Sequence, residues 1–129
     1  MAIELKWLVY SIVLGLVYVL IAATFSTLQR GLKWNASNRD GEPKPLTGAA
    51  ARAVRANFNF LETFPFFAAA VLAVVLTKTN TPHTAMGATL YFWARAAYLP
   101  IYIIGIPYLR TLVWVVSFWG LLQVLEALW

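Results

Sequence analysis

The stretch Arg55-Ala56-Asn57-Phe58-Asn59-Phe60-Leu61-Glu62-Thr63-Phe64-Pro65-Phe66-Phe67, continuing through Ala68–Leu76 without another charge, decides the fold. From Ala53 to Leu76 its background is apolar, and roughly 20 such residues cross about 30 Å of hydrocarbon as a helix. Arg55, Asn59 and Glu62 stand at i, i+4 and i+7, so a helix carries them on one face. A charge at the centre of a membrane helix costs about 2.5–3.5 kcal/mol and is kept for a purpose.

Three similar runs flank this one. The first, about 7–28, lies between Lys6 and Arg30 and is interrupted only by small or weakly polar residues. It is longer than the roughly 7–15 apolar residues of a secretory signal, so a spanning helix is favoured over a cleaved leader. A third run covers about 86–106 and a fourth about 110–128, with Pro107 between them. Residues 29–52 are rich in Lys, Arg, Asn, Asp and Gly, and Pro43 and Pro45 bar a regular helix through their middle. The expected fold is all-α: one domain, 1–129, of four transmembrane helices with a connecting loop at 29–52. Pro65 and Pro100 are expected to interrupt the second and third spans, since each removes a backbone hydrogen bond.

Composition agrees with burial in lipid. Hydrophobic residues make up 61% of the 129 and charged residues only 12%, against about 25% charged in a soluble domain; mean hydropathy is +0.70. That excludes a large soluble catalytic domain. There is no cysteine, so disulfides, thiolate nucleophiles and Cys-ligated metals are excluded, and thiol chemistry needs a thiol supplied by a ligand. With one histidine, His83, and five scattered carboxylates, neither a metal cluster nor a Ser-His-Asp triad is assembled. The net charge of +5 suits an anionic ligand or anionic lipid. Nucleic acid is a poor partner, because the cations sit at span ends rather than in a continuous stripe. They also set orientation: Arg30, Lys33, Arg39, Lys44, Arg52 and Arg55 around the first loop, and Arg110 at the last connection, put both of these on the cytoplasmic side. Trp7, Tyr10, Trp34, Trp114, Trp119 and Trp129 are candidate interface anchors.

The third span has its own polar stripe, Arg95, Tyr98 and Tyr102 at i, i+3 and i+7. Because the second and third spans run in opposite directions, both stripes and Arg110 meet in the cytoplasmic half of the bilayer. A pocket there presents several guanidiniums, two phenols, an amide and one carboxylate. Arginines pair bidentately with carboxylates, so the matching ligand is small and flexible, with carboxylates and a free amine for Glu62 to hold. Two structural readings compete: Arg55 snorkels to the interface, or Glu62 neutralises Arg55 or Arg95 with no ligand at all. One carboxylate cannot serve three arginines, which favours the ligand.

The Arg55–Phe67 stretch resembles the Arg-Ala-x-x-Asn-x-x-Glu-x-x-Pro signature of the MAPEG superfamily, the membrane-associated proteins in eicosanoid and glutathione metabolism. Ala94, Arg95, Tyr98 and Tyr102 resemble its third-helix pattern, and Arg110 its fourth-helix arginine. The overall pattern is similar to the bacterial-type microsomal glutathione transferases. The resemblance implies a homotrimer of four-helix subunits with glutathione as co-substrate between neighbours. It implies that Arg55, Asn59, Glu62, Arg95, Tyr98, Tyr102 and Arg30 bind the tripeptide and that Arg110 is catalytic, favouring the thiolate. Asn57 and Thr63 depart from relatives that carry Gln and Tyr there. A cation lowers a thiol pKa from about 8.5, so no side-chain base is required. The second substrate is then a hydrophobic electrophile arriving from the membrane, with conjugation, peroxide reduction and isomerisation all open.

Two other functions fit part of the pattern. A non-catalytic member of the same family binds lipid or another ligand without transferring glutathione. A small multidrug transporter also has four short spans and an intramembrane Glu, but in its first helix, and here no charge falls between Lys6 and Arg30. The expected location is a bacterial inner membrane with the site facing the cytoplasm.

Overall fold

The computed structural model describes all 129 residues; its regular elements are all helices, with an irregular connection over 37–47. Five helices follow in order: α1 (Ile3–Arg30), α2 (Leu32–Ala36), α3 (Gly48–Thr77), α4 (Pro82–Ile104) and α5 (Pro107–Glu126). α3 and α4 occupy the middle, touching each other and both α1 and α5, while α1 and α5 do not meet; α2 packs on α1 alone.

Three helices, α1, α3 and α5, are long and apolar enough to cross a membrane. Only 27 of 129 residues are buried, and large apolar side chains such as Leu16, Leu20, Phe66 and Leu76 point outward, the pattern of a protein whose solvent is lipid. α4, the third expected span, has 23 residues, about 34 Å at 1.5 Å each, but is not among the three. Its sequence carries Arg95, two threonines and three tyrosines, and four of these six are inside: Thr84, Tyr91, Arg95 and Tyr98 are all buried.

Helix ends differ from the edges of the apolar runs. α3 begins at Gly48, before Ala53, because Ala49–Ala51 are strong helix formers that extend the helix beyond its greasy part. α2 lies inside the expected loop. Pro65 sits within α3 and Pro100 within α4 without ending either helix, so the expected interruptions are absent; in a membrane helix neighbouring groups tolerate the missing bond. α4 ends at Gly105 in the left-handed conformation (φ 92°), and Pro107 opens α5 at its first turn. The two helices pack so closely that a Cβ built on Gly87 meets the Gly120 carbonyl oxygen at 2.5 Å.

Two polar ties close the ends. At one, Thr81 and Thr84 cap α4 reciprocally, and the Thr84 hydroxyl donates to the buried carboxylate of Glu4 on α1 at 2.5 Å. At the other, the Gln29 side chain donates to the Thr47 carbonyl (2.9 Å) and accepts from the Thr47 N–H (3.1 Å), joining the end of α1 to the start of α3.

Candidate functional site

At the loop end of the bundle the structure brings together residues from three helices. Arg55 of α3 donates from Nε to the hydroxyl of Tyr102 on α4 at 3.0 Å. Arg110, in the first turn of α5, lies with its guanidinium carbon 4.8 Å from the centre of the Tyr102 ring, and that of Arg55 is 5.8 Å away. Tyr98, one turn deeper, meets Tyr102 edge-on at 5.5 Å and accepts from Arg110 Nη1 at 3.4 Å. Arg52 donates to the Ile103 carbonyl at 2.9 Å, satisfying an open acceptor at the end of α4. A cavity of about 120 Å³ opens here, lined by Arg52, Tyr102, Gly105, Ile106, Pro107 and Arg110. No carboxylate pairs with any of these arginines: the one close contact between a basic and an acidic side chain, His83 Nε2 to Glu126 Oε2 at 3.4 Å, is at the opposite end.

Deeper in the bundle, Arg95 forms a second group. Its side chain is completely buried. Nη1 donates to Asn59 Oδ1 at 2.6 Å and Nη2 to Thr63 Oγ1 at 2.9 Å, while the faces of Tyr98 and Tyr91 lie 5.1 and 5.7 Å from its guanidinium carbon. Thr63 and Tyr91 share a hydrogen bond of 3.0 Å, and Tyr18 of α1 donates to the Arg95 carbonyl at 2.6 Å. Neutral oxygens and π faces therefore hold this charge within the chain, a solution that counting carboxylates overlooks. Tyr98 belongs to both groups, its ring over Arg95 and its hydroxyl on Arg110.

Two expected site residues stand apart. Glu62 is exposed on α3, without an ion pair, at the polar end of an otherwise apolar groove of about 580 Å³ between α3 and α5 whose lining includes Phe66, Phe118 and Leu121. Arg30 donates to the Lys44 carbonyl at 2.8 Å and lines a separate pocket. Reading spacing alone misses Tyr18, Tyr91, Thr63 and Arg52. Tyr91 was within reach, being four residues before Arg95 on the same helical face. Tyr18 is a lone phenol in an apolar run and gives no such signal.

The MAPEG family model matches residues 7–126. No curated protein and no solved structure matches the chain.

Proposed function

The chain belongs to the MAPEG family, and from that premise we propose that it is a membrane-bound glutathione transferase, a four-span bundle working as a homotrimer with its site on the cytoplasmic side. The observation that carries this reading is the pair of guanidiniums, Arg55 and Arg110, around one phenol ring beside a small cavity with no anion in reach. Unpaired cations at a membrane protein's edge suit a ligand with carboxylates. Arg55, Asn59, Tyr98 and Tyr102 supply donors for the tripeptide, and Glu62 an acceptor for its ammonium group. The isolation of Glu62 at mid-helix supports the trimer, since a carboxylate at that depth requires a covering partner.

Arg110 is the cation for the thiol. A guanidinium beside sulfur favours loss of its proton to water, and the thiolate then bonds to an electrophilic carbon, whose displaced electron pair leaves on the departing or acceptor atom. Arg95 does not touch the tripeptide in this reading but fixes Asn59 and Tyr98. Arg30 makes no contact with this group and is outside the reading.

The test is titration of the purified protein in detergent with glutathione, followed by calorimetry and thiolate absorbance. The expected result is saturable heat with thiolate formed at neutral pH. Heat without thiolate overturns the transferase reading in favour of a non-catalytic binding member of the family; absence of both signals overturns glutathione binding as well.

A further inference from the structure

Beyond glutathione, and independently of it, the loop end of α1 carries a second set of unpaired cations. α2 folds back along α1 and is pinned there by Asn35, whose Nδ2 donates to Thr27 Oγ1 at 3.0 Å. Between them lies a pocket of about 210 Å³, with Ala23 and Ser26 from α1, Trp34 and Asn35 from α2, and Arg30 and Arg39. Asn35 holds Arg39: Nε and Nη2 donate to its carbonyl at 3.1 and 3.0 Å, and Nη2 also to its Oδ1 at 2.5 Å. The Nη1 group of Arg39 is left without a protein acceptor. Arg30 uses only Nε, toward Lys44, so both of its Nη groups are free. Neither arginine has a carboxylate partner.

A second, shallow furrow of about 260 Å³ on α1, lined by Leu20, Ala23, Thr24, Thr27 and Leu28, has Ala23 in common with this pocket. From Arg30 to Leu20 is ten residues, about 15 Å at 1.5 Å per residue, or half of a hydrocarbon core about 30 Å thick. A charged mouth at the end of a membrane helix, an aromatic ring beside it and a neighbouring furrow of Leu20, Ala23 and Leu28, whose two threonine hydroxyls are already bonded within the chain, match one class of molecule: head group, interface and chain in that order.

We infer that Arg30 and Arg39 clamp the phosphodiester of an anionic glycerophospholipid, with Trp34 at the glycerol level and one acyl chain along the furrow from Ala23 to Leu20. Guanidinium forks fit phosphate oxygens bidentately; Arg30 keeps both Nη groups for such a contact, and Arg39, held by Asn35, adds its Nη1. A soluble phosphate shares the head-group chemistry but gains nothing from the furrow.

Native mass spectrometry of the full chain in neutral detergent tests this with three probes: dioleoylphosphatidylglycerol, dioleoylglycerol without phosphate, and glycerol 3-phosphate without chains. Only the first is expected to remain bound. Arg30→Gln and Arg39→Gln are each expected to lower its retention about fivefold, whereas Lys33→Gln, which removes a charge outside the pocket, changes it less than about twofold. Because Arg39→Gln also loosens α2, Ala23→Phe serves as a second variant: it fills the junction of pocket and furrow with both arginines in place, and retention is expected to fall equally. Equal loss on Lys33→Gln overturns the site in favour of diffuse surface attraction. Equal retention of dioleoylglycerol, or glycerol 3-phosphate bound as tightly as the lipid, overturns the lipid clamp. Displacement of the lipid by glutathione also overturns it and assigns Arg30 to the tripeptide.

Discussion

Arg95 Nη1 meets Asn59 Oδ1 at 2.6 Å, and that contact fixes which way the Asn59 carboxamide faces. A guanidinium has donors and no acceptor, so the amide oxygen must turn inward and the NH₂ outward. A half-buried asparagine that could present either end thereby becomes a donor, which suits a carboxylate ligand. Arg95→Met is expected to weaken glutathione binding about tenfold, the loss of one charge-oriented hydrogen bond. In an Asn59→Ala background the same change is expected to cost nothing further, and Arg95→Lys, which still donates, to restore most of the affinity. Calorimetric affinities around this double-mutant cycle check the claim; additive losses show that Arg95 acts on the ligand by another route.

Arg110 and Arg55 flank Tyr102 but are expected to fail differently when removed. Arg110→Ala leaves glutathione affinity within about threefold and lowers kcat about 100-fold, the size of one lost charge-stabilising donor; Arg55→Ala weakens binding and turnover together. The pH dependence separates them further. Without Arg110 the bound thiol returns toward its ordinary pKa of about 8.5, so the variant's rate climbs with pH through that value while the wild type is already level. A flat profile for Arg110→Ala counts against its role at the sulfur.

Glu62 is read as the acceptor for an ammonium group. A glutathione analogue lacking its amine is expected to bind the wild type about tenfold more weakly, in the range of a lost charged hydrogen bond. Glu62→Gln should bind glutathione and the analogue alike. A tenfold preference for glutathione persisting in the variant excludes Glu62 from that contact.

The α4–α5 seam leaves no room at Gly87 or Gly120. Alanine at either position must push the helices apart, and overpacking of this kind costs about 1–3 kcal/mol. Thermal unfolding in detergent should show both variants less stable than the wild type. Equal midpoints for all three contradict the seam.

Much of this architecture can be read from the chain because hydrocarbon imposes a blunt requirement, some 20 apolar residues per crossing. The same criterion misjudges helix ends, since apolarity marks the bilayer and not the last backbone hydrogen bond, as the start of α3 at Gly48 illustrates. It also passes over α4, where the polar side chains of Thr84, Tyr91, Arg95 and Tyr98 are buried. The polar stripe of α3 was visible as a stripe, but not the line dividing it. At about 100° per residue, Asn59 and Thr63 lie some 40° and 80° round from Arg55 toward the core, and Glu62 some 20° the other way. That small difference sends Thr63 inside and Glu62 out. Spacing brought Arg55, Tyr102 and Arg110 together correctly because all three stand near helix ends at one level. It gave no warning that Arg95 finds its acceptors within its own chain.

Only Gly105 and Ile106 separate α4 from α5, and the helices they join are packed backbone to backbone at Gly87 and Gly120. Tyr98, Tyr102 and Arg110 therefore stand on one tightly joined helix pair. At this end α3 reaches that pair through two hydrogen bonds, Arg52 to Ile103 and Arg55 to Tyr102. In the proposed reading the guanidinium of Arg55 that draws in the ligand is thus also one of the two latches across the gap.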